Sequence, residues 1–242
     1  MGNIGNMGDA RSFKHFGNKS KPVEPSKHYL FWVYGLLVYL SAQLHEIGHW
    51  LMATLLGLNF ALGFNRWQIL SEATTYQKLA VLTAGPVVTL ALIIAGFLVL
   101  LRMEFAAAKR IGPMLIISNS LMILIPNLIS LFSGGFGDIG WIAFYLATPQ
   151  YALKVPLVLA LIMTTIAGIK ELEPEMKETG CLLGLFFIPV LVMAAVVLLD
   201  RVTWYSYENG ELLFPIWGIS ALTLLANGLL AVLLVVLLWI LL

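Results

Sequence analysis

The sequence predicts an all-α fold, a polytopic transmembrane helix bundle of about six spanning helices, with a short strand or hairpin segment near residues 59–72. Two observations support this prediction. Hydrophobic residues occupy 60% of the 242 positions and charged residues 11%, whereas soluble domains average about 45–50% and about 25%. The hydrophobic residues also occur in runs of about 20, the number that a helix needs to cross about 30 Å of hydrocarbon. An ordinary soluble domain is therefore excluded.

The composition of the chain divides it into three parts. Residues 1–28 carry five lysines and arginines and few apolar residues, which is typical of a disordered tail. Residues 29–147 contain three predicted spanning helices followed by an aspartate-bearing segment that we expect to re-enter the membrane. Residues 148–242 contain three further predicted spanning helices. We therefore expect one multi-pass integral membrane protein in contact with the lipid bilayer.

The first two helices have distinct limits. The apolar run over residues 29–58 is longer than the hydrocarbon is thick, so this helix must tilt or emerge from the membrane. Loose alternation over residues 59–73, interrupted by Asn, Gly and Arg, predicts the strand or hairpin. The capping-box spacing of Thr74 and Gln77 predicts the start of the second helix, and Pro86 predicts a kink inside it.

Glycine interrupts the pattern after the third helix, which we predict over residues 112–132. The stretch SGGFGDIG at 133–140 is too rich in glycine to be helical throughout. The remaining apolar segments predict helices over 152–169, 181–199 and 216–242.

The lysines and arginines favour one orientation and exclude one class of partner. If the N-terminal tail is cytoplasmic, ten of them lie inside and four outside, so the positive-inside rule predicts a cytoplasmic N-terminus. The net charge is only +1 and the cations are scattered, so no basic face is available to bind nucleic acid. The four cations predicted to lie outside are Arg66, Lys78, Lys154 and Arg201.

Three ionisable residues lie inside the first apolar run, in the motif HEIGH. His45 and His49 are one helical turn apart on the same face, so both imidazoles can reach one metal ion, and Glu46 lies beside them. The single cysteine, Cys181, excludes a cysteine-based zinc cluster. This spacing is typical of zinc hydrolases.

A catalytic zinc ion usually has a third protein ligand, and Asp138 in the glycine-rich break is the best candidate. It could instead cap the following short helix. The glutamates near the fourth helix are more typical of a solvated face, although Glu171 or Glu173 would be the ligand in a different kind of membrane zinc peptidase.

Several other interpretations fit the same residues. The HEIGH side chains could form an interhelical hydrogen-bond cluster or a proton relay of a transporter. They could also hold a structural or regulatory zinc ion in a membrane protein that is not a protease. Asn119 and Asn127 lie on roughly one side of the third helix, where they could bind a substrate backbone, hold the aspartate loop, or bond between helices.

Three motifs in this order resemble the site-2 protease (M50) family of intramembrane zinc metalloproteases. HEIGH is similar to the HExxH helix of that family, and LTAGPVVTLAL at 82–92 is similar to its AGP helix. The segment SNSLMILIPNLISLFSGGFGDIG at 118–140 resembles its asparagine-containing helix, which ends in an Asp-Gly motif. The resemblance covers residues 30–145.

This resemblance implies an intramembrane zinc endopeptidase whose protease core is residues 29–147. It implies that His45, His49 and Asp138 bind Zn²⁺ and that Glu46 is the general base. The implied substrate is a membrane protein with a transmembrane helix, cleaved at a peptide bond within or near that helix.

Overall fold

The computed structural model describes residues 27–104, 106–135, 137–206, 211–212 and 214–241. The predicted tail at 1–28 lies outside the described residues, except that its last two residues begin the first helix. The described part is helical with a few short strands, which confirms the predicted fold class. Its helices are α1 (Lys27–Leu55), α2 (Thr75–Arg102), α3 (Ala106–Ser133), α4 (Gly137–Tyr145), α5 (Gln150–Glu171), α6 (Thr179–Thr203) and α7 (Ala221–Leu241).

Five of these helices, α1, α2, α3, α5 and α6, are long and apolar enough to cross a membrane. In α7 the described apolar stretch, Ala221–Leu233, is shorter, and α4 has nine residues. Apolar side chains such as Phe187 and Leu191 of α6 are exposed on the outside of the bundle, where lipid is the expected solvent. Together these features are consistent with a membrane protein.

Local sequence signals explain where α1 ends and α2 begins. Gly57 has a positive φ of 67°, and the N–H of Leu58 donates to the carbonyl of Ala53 at 2.9 Å, so a Schellman motif stops α1 three residues earlier than predicted. At α2 the predicted capping box is confirmed, since Thr74 and Gln77 each accept from the other's backbone N–H. The helix then continues through Pro86.

Helix α1 lies in the centre of the bundle. It packs against α2, α3, α6 and α7, and its residues Tyr34 and Val38 are fully buried with Ile117 of α3 and Leu185 of α6. The phenol of Tyr34 donates to the carbonyl of Leu185 at 3.0 Å. Polar residues further along α1 are consequently surrounded by other helices rather than by lipid.

The predicted strand segment near 59–72 is a hairpin of β1 (Phe60–Leu62) and β2 (Trp67–Ile69). Four further strands in the described residues, which we had not predicted, lie between α6 and α7: β3 (Trp204–Ser206), β4 (Glu211–Leu212), β5 (Pro215–Ile216) and β6 (Ile219–Ser220).

The last predicted helix is therefore wrong at its start, since residues 215–220 form two short strands joined by a turn and α7 begins at Ala221. Pro215 has no N–H to donate to a helix, and Gly218 has a positive φ of 75°. The carbonyl of Gly218 instead accepts from the N–H of Leu62 at 2.7 Å. Strand β6 thereby pairs in parallel with β1 and completes a sheet of order β2-β1-β6-β5.

A buried carboxylate holds the hairpin turn against α6. Asp200, which is fully buried, accepts at Oδ1 from the N–H groups of Phe64 and Asn65 at 2.9 and 3.1 Å. Its Oδ2 pairs with Nε of Arg66 at 2.8 Å. The turn that joins β1 to β2 is therefore fixed by a residue from the C-terminal part of the chain.

We predict that Asp200→Ala lowers the free energy of unfolding by about 3 kcal/mol, because two N–H groups and the Arg66 guanidinium lose their acceptor. Thermal unfolding of the full chain in detergent measures the effect. Glu171→Ala, at an exposed position, is the control and should leave the unfolding temperature unchanged. Equal unfolding temperatures for both variants would contradict this role of Asp200.

Candidate metal centre

Three potential ligand atoms converge inside the bundle. Nε2 of His45 lies 2.9 Å from Oδ2 of Asp138, and Nε2 of His49 lies 3.4 Å from the same oxygen. The two Nε2 atoms are 3.3 Å apart. These three residues, which the sequence had suggested as ligands, form a group that could hold a metal ion.

Two features of the backbone bring Asp138 to the histidines. Helix α1 presents both imidazoles on one face because they are one turn apart. Between α3 and α4, Gly134 and Gly137 have φ angles of 73° and 51°, a conformation that glycine adopts without strain. Asp138 lies inside the first turn of α4 with its carboxylate against the histidines, so the alternative role as the cap preceding this helix is not what the structure shows.

The other nitrogen of each imidazole is held by α2. Nδ1 of His49 lies 2.7 Å from the carbonyl oxygen of Val81, which can only accept, so Nδ1 carries the proton. Nδ1 of His45 lies 2.9 Å from the hydroxyl of Thr89, and that hydroxyl donates its hydrogen to the carbonyl of Gly85. His45 Nδ1 is therefore also a donor, and in the neutral imidazoles both Nε2 atoms carry lone pairs.

Two nitrogen lone pairs and a carboxylate oxygen at these distances repel one another unless a cation, either a proton or a metal ion, lies between them. Ligands of a tetrahedral zinc ion, with bonds of about 2.0–2.2 Å, are themselves about 3.4 Å apart. The observed separations are 2.9–3.4 Å. Two imidazoles and one carboxylate also form a donor set that leaves a fourth position open. The residues present therefore fit a metal ion.

The electrostatics of Asp138 suit a metal ligand. Burial acts to raise the pKa of its carboxyl group, but His45 and His49, when they carry protons on Nε2, outweigh burial through their hydrogen bonds and charge and hold the pKa well below its usual range. The carboxylate is therefore ionised at neutral pH, which is the form that binds a cation. Asp138 is the most exposed of the three, with 25% of its side chain accessible, against 13% for His45 and none for His49.

Two cavities meet at this cluster. One, of about 390 Å³, is lined by strand β2 on one side and by Asp138, Trp141 and Tyr145 of α4 on the other. The second, of about 220 Å³, is lined by His45, Glu46 and Asn127 among others. Asp138 and Trp67 line both cavities, so a bound ion could be reached from either.

Glu46 lies next to His45 in the chain but is not part of the candidate ligand group. It is buried, it lines the smaller cavity, and its Oε2 has no hydrogen-bond partner among the described residues. A buried carboxylate oxygen without a partner is costly unless it meets a proton, a water molecule or a ligand. Its place therefore suits proton transfer in the cavity.

The other residues named from the sequence lie in different surroundings. Asn127 lines the smaller cavity and donates back to the carbonyl of Ile123 at 2.8 Å. Asn119 is fully buried within α3, donates to the carbonyl of Leu115, and lines neither cavity. Glu173 pairs with Nε of Arg110 at 2.9 Å, and Glu171 is exposed at the end of α5. Within the described residues, the ligand group contains neither glutamate.

Three residues contact the candidate ligands or leave space for them, but were not named as site residues from the sequence: Thr89, Trp67 and Gly85. The ring of Trp67 lies 5.0 Å from that of His49. A Cβ atom at residue 85 would lie 2.7 Å from Nε2 of His45 and closer still to Nε2 of His49. Glycine at this position therefore makes room for the two imidazoles.

We predict that the purified full chain binds about one divalent metal ion per molecule. His45→Ala combined with His49→Ala should abolish this binding, because one carboxylate cannot hold the ion by itself. Asp138→Ala should weaken it, whereas Glu171→Ala should not. Metal analysis after dialysis against a trace of chelator measures the stoichiometry, and a metal-free wild-type protein that cannot be reloaded would contradict the assignment.

We also predict that Gly85→Ala weakens metal binding, because the imidazoles of His45 and His49 must shift to admit the methyl group. Alanine favours the helix by about 1 kcal/mol over glycine, but its methyl group overlaps the space of the two Nε2 atoms. Gly228→Ala in α7 is the matched control, since a Cβ there meets nothing within 4 Å. Isothermal titration with the metal and thermal unfolding separate the two effects, and equal metal affinity in both variants would refute the prediction.

Comparison with known proteins identifies no relative that would indicate the role of the His45, His49 and Asp138 group. The chain matched no model of a protein family, no curated protein and no solved structure. The candidate metal centre therefore rests on the geometry of His45, His49 and Asp138.

Proposed function

We propose that the protein is an intramembrane zinc endopeptidase that cleaves a peptide bond within or near a transmembrane segment of a membrane-protein substrate. The observation that carries this proposal is the convergence of His45, His49 and Asp138 at a cavity that also contains buried Glu46, whose Oε2 has no hydrogen-bond partner among the described residues. The ordered resemblance of three motifs to the site-2 protease family supports it. Zn²⁺ is the ion that this donor set and this chemistry favour.

The residues of the chain have separate tasks in the proposed reaction. When bound, zinc supplies Lewis-acid chemistry, which polarises a carbonyl group and lowers the pKa of water. Glu46 accepts the proton of the attacking water at its carboxylate and transfers it to the leaving nitrogen. Thr89 and the carbonyl of Val81 keep the imidazoles in the tautomer that presents Nε2.

The free edge of β2 supports a peptide as the substrate. The N–H of Gly63 donates to the carbonyl of Arg66, and the N–H of Leu70 donates to the carbonyl of Asn59. Hydrogen-bonded and non-hydrogen-bonded residue pairs alternate between these two bonds along the hairpin. Trp67 and Ile69 therefore occupy non-hydrogen-bonded pairs with β1, and their N–H and C=O groups point away from it. Strand β2 is the edge of its sheet and lines the cavity that contains Asp138, so an extended peptide that pairs with it passes the ligands.

A substrate helix must unwind before this pairing. Its carbonyl groups are occupied by hydrogen bonds within the helix, and attack needs one of them free. Pairing with β2 replaces the lost backbone hydrogen bonds, which in the hydrocarbon would otherwise cost several kcal/mol each. We therefore expect the cleaved segment to contain weak helix formers such as glycine or β-branched residues.

The proposal includes a cytoplasmic N-terminus, which the distribution of charge supports. The bias of ten lysines and arginines against four supports a cytoplasmic N-terminus. Because β1 pairs with β6, the α1–α2 and α6–α7 connections lie on the same side of the membrane. The count of lysines and arginines also places both connections on the same side, the outside.

We predict that Glu46→Gln keeps zinc binding and reduces cleavage of a model transmembrane substrate by about 10²–10⁴-fold, because an amide cannot accept the proton. Wild type, Glu46→Gln and the exposed control Glu171→Gln are compared in detergent or liposomes, with zinc content measured in parallel. A wild type that binds zinc but cleaves none of a panel of transmembrane substrates would favour a structural or regulatory zinc site. Full activity in Glu46→Gln would remove Glu46 from the mechanism.

A further inference from the structure

A buried lysine in α5 contacts the segment that carries the third ligand. Lys154 is 1% exposed, and it alone is buried among the lysines and arginines whose side-chain exposure the structure describes. Its Nζ donates to the carbonyl oxygen of Gly135 at 2.8 Å and to Oε1 of Gln150, one turn earlier in α5, also at 2.8 Å. The sequence count had placed this residue among the outside cations, which are usually exposed.

The bond to Gly135 is made at the bend that determines where Asp138 lies. Gly135 is three residues before Asp138, and the glycines at 134 and 137 have positive φ angles. Glycine leaves the backbone of such a segment free to adopt many conformations. The hydrogen bond to Lys154 anchors this segment to a rigid helix, and the positive charge also lies near the C-terminal end of α3, where the helix dipole favours a cation.

We propose that Lys154 is a positioning residue for the metal centre, which fixes the bend between α3 and α4 so that the Asp138 carboxylate meets His45 and His49. This inference rests on the proposed metal site. Lys154 acts through the backbone of Gly135, since its hydrogen bonds go to Gly135 and Gln150 and not to a candidate ligand. This inference gives α5, one of the C-terminal helices, a role at the candidate metal centre. The sequence of those helices contains no recognisable catalytic or metal-binding motif.

The energetics favour this role over simple packing. Burying an ammonium group costs free energy unless the group is hydrogen-bonded, and an apolar side chain of the same length would fill the space at lower cost. The contacts that offset the cost are the two hydrogen bonds, one of which serves the bend. An apolar replacement can therefore leave the bundle folded while it releases the bend.

The test compares zinc affinity in the full chain in detergent, with Lys154→Met as the variant. Methionine keeps the unbranched length and removes both hydrogen bonds. We expect a loss of about 10–100-fold in zinc affinity, the size typical of groups that orient metal ligands, measured by competition with a chelator. Lys170→Met is the matched control, since Lys170 lies on the same helix and is exposed, and its zinc affinity should equal that of wild type.

A double-mutant cycle separates positioning from general damage. In an Asp138→Ala background, where the ligand is absent, Lys154→Met should cause no further loss of zinc affinity. The visible absorption of the Co²⁺-loaded protein should change in Lys154→Met towards the spectrum of Asp138→Ala, because both alter the same ligand.

The outcomes distinguish this inference from the proposed function. Equal zinc affinity of wild type and Lys154→Met overturns the positioning role and leaves the protease proposal intact. A loss of zinc affinity in Lys154→Met that is the same with and without Asp138 has the same consequence. A wild type that binds no zinc overturns the metal site itself. If Lys154→Met does not fold, the same cycle is measured with Lys154→Gln, for which a loss independent of Asp138 would again refute the proposal.

Discussion

The arrangement of the site depends on the convergence of two imidazole nitrogens and a carboxylate oxygen within 3.4 Å of one another. Such a cluster is unfavourable in a low-dielectric interior without a cation, and several features of the bundle are explained by it. Helix α1 is central, which keeps the ligands away from lipid. Residue 85 of α2 has no side chain, and α2 also supplies the acceptors for both Nδ1 atoms. The candidate metal centre is thus formed by three packed helices and a bend.

Each of the two walls of the larger cavity is hydrogen-bonded to a different helix of the C-terminal half of the chain. Asp200 of α6 fixes the turn of the hairpin that carries β2, and Lys154 of α5 binds the bend that carries Asp138. Gln43 of α1 adds a bond to the carbonyl of Phe64 at 2.9 Å. The helices after residue 148 therefore act as supports for a site whose ligands all come from the first part of the chain.

Much of this arrangement could be predicted from residues that are close in sequence. The spacing of His45 and His49 fixes their common face whatever surrounds them, and the Thr74–Gln77 box is local. The β1–β6 pair, the bond from His45 to Thr89 and the burial of Lys154 could not be predicted, because each joins segments far apart in the chain. Periodicity contains no information on such contacts, and a lysine four residues into a helix looks the same whether it meets solvent or a carbonyl group.

The parallel pairing of Leu62 with Ile219 has a consequence for biogenesis. The hairpin is made early, but its neighbour emerges from the ribosome only after nearly all of the spans have been synthesised, about 8–30 s later at 5–20 residues per second. Until then β1 has an unpaired edge, which is a template for incorrect association. Assembly of the sheet is therefore a late, post-insertion step, and a chain truncated before β6 would expose that edge to the quality-control machinery of its membrane.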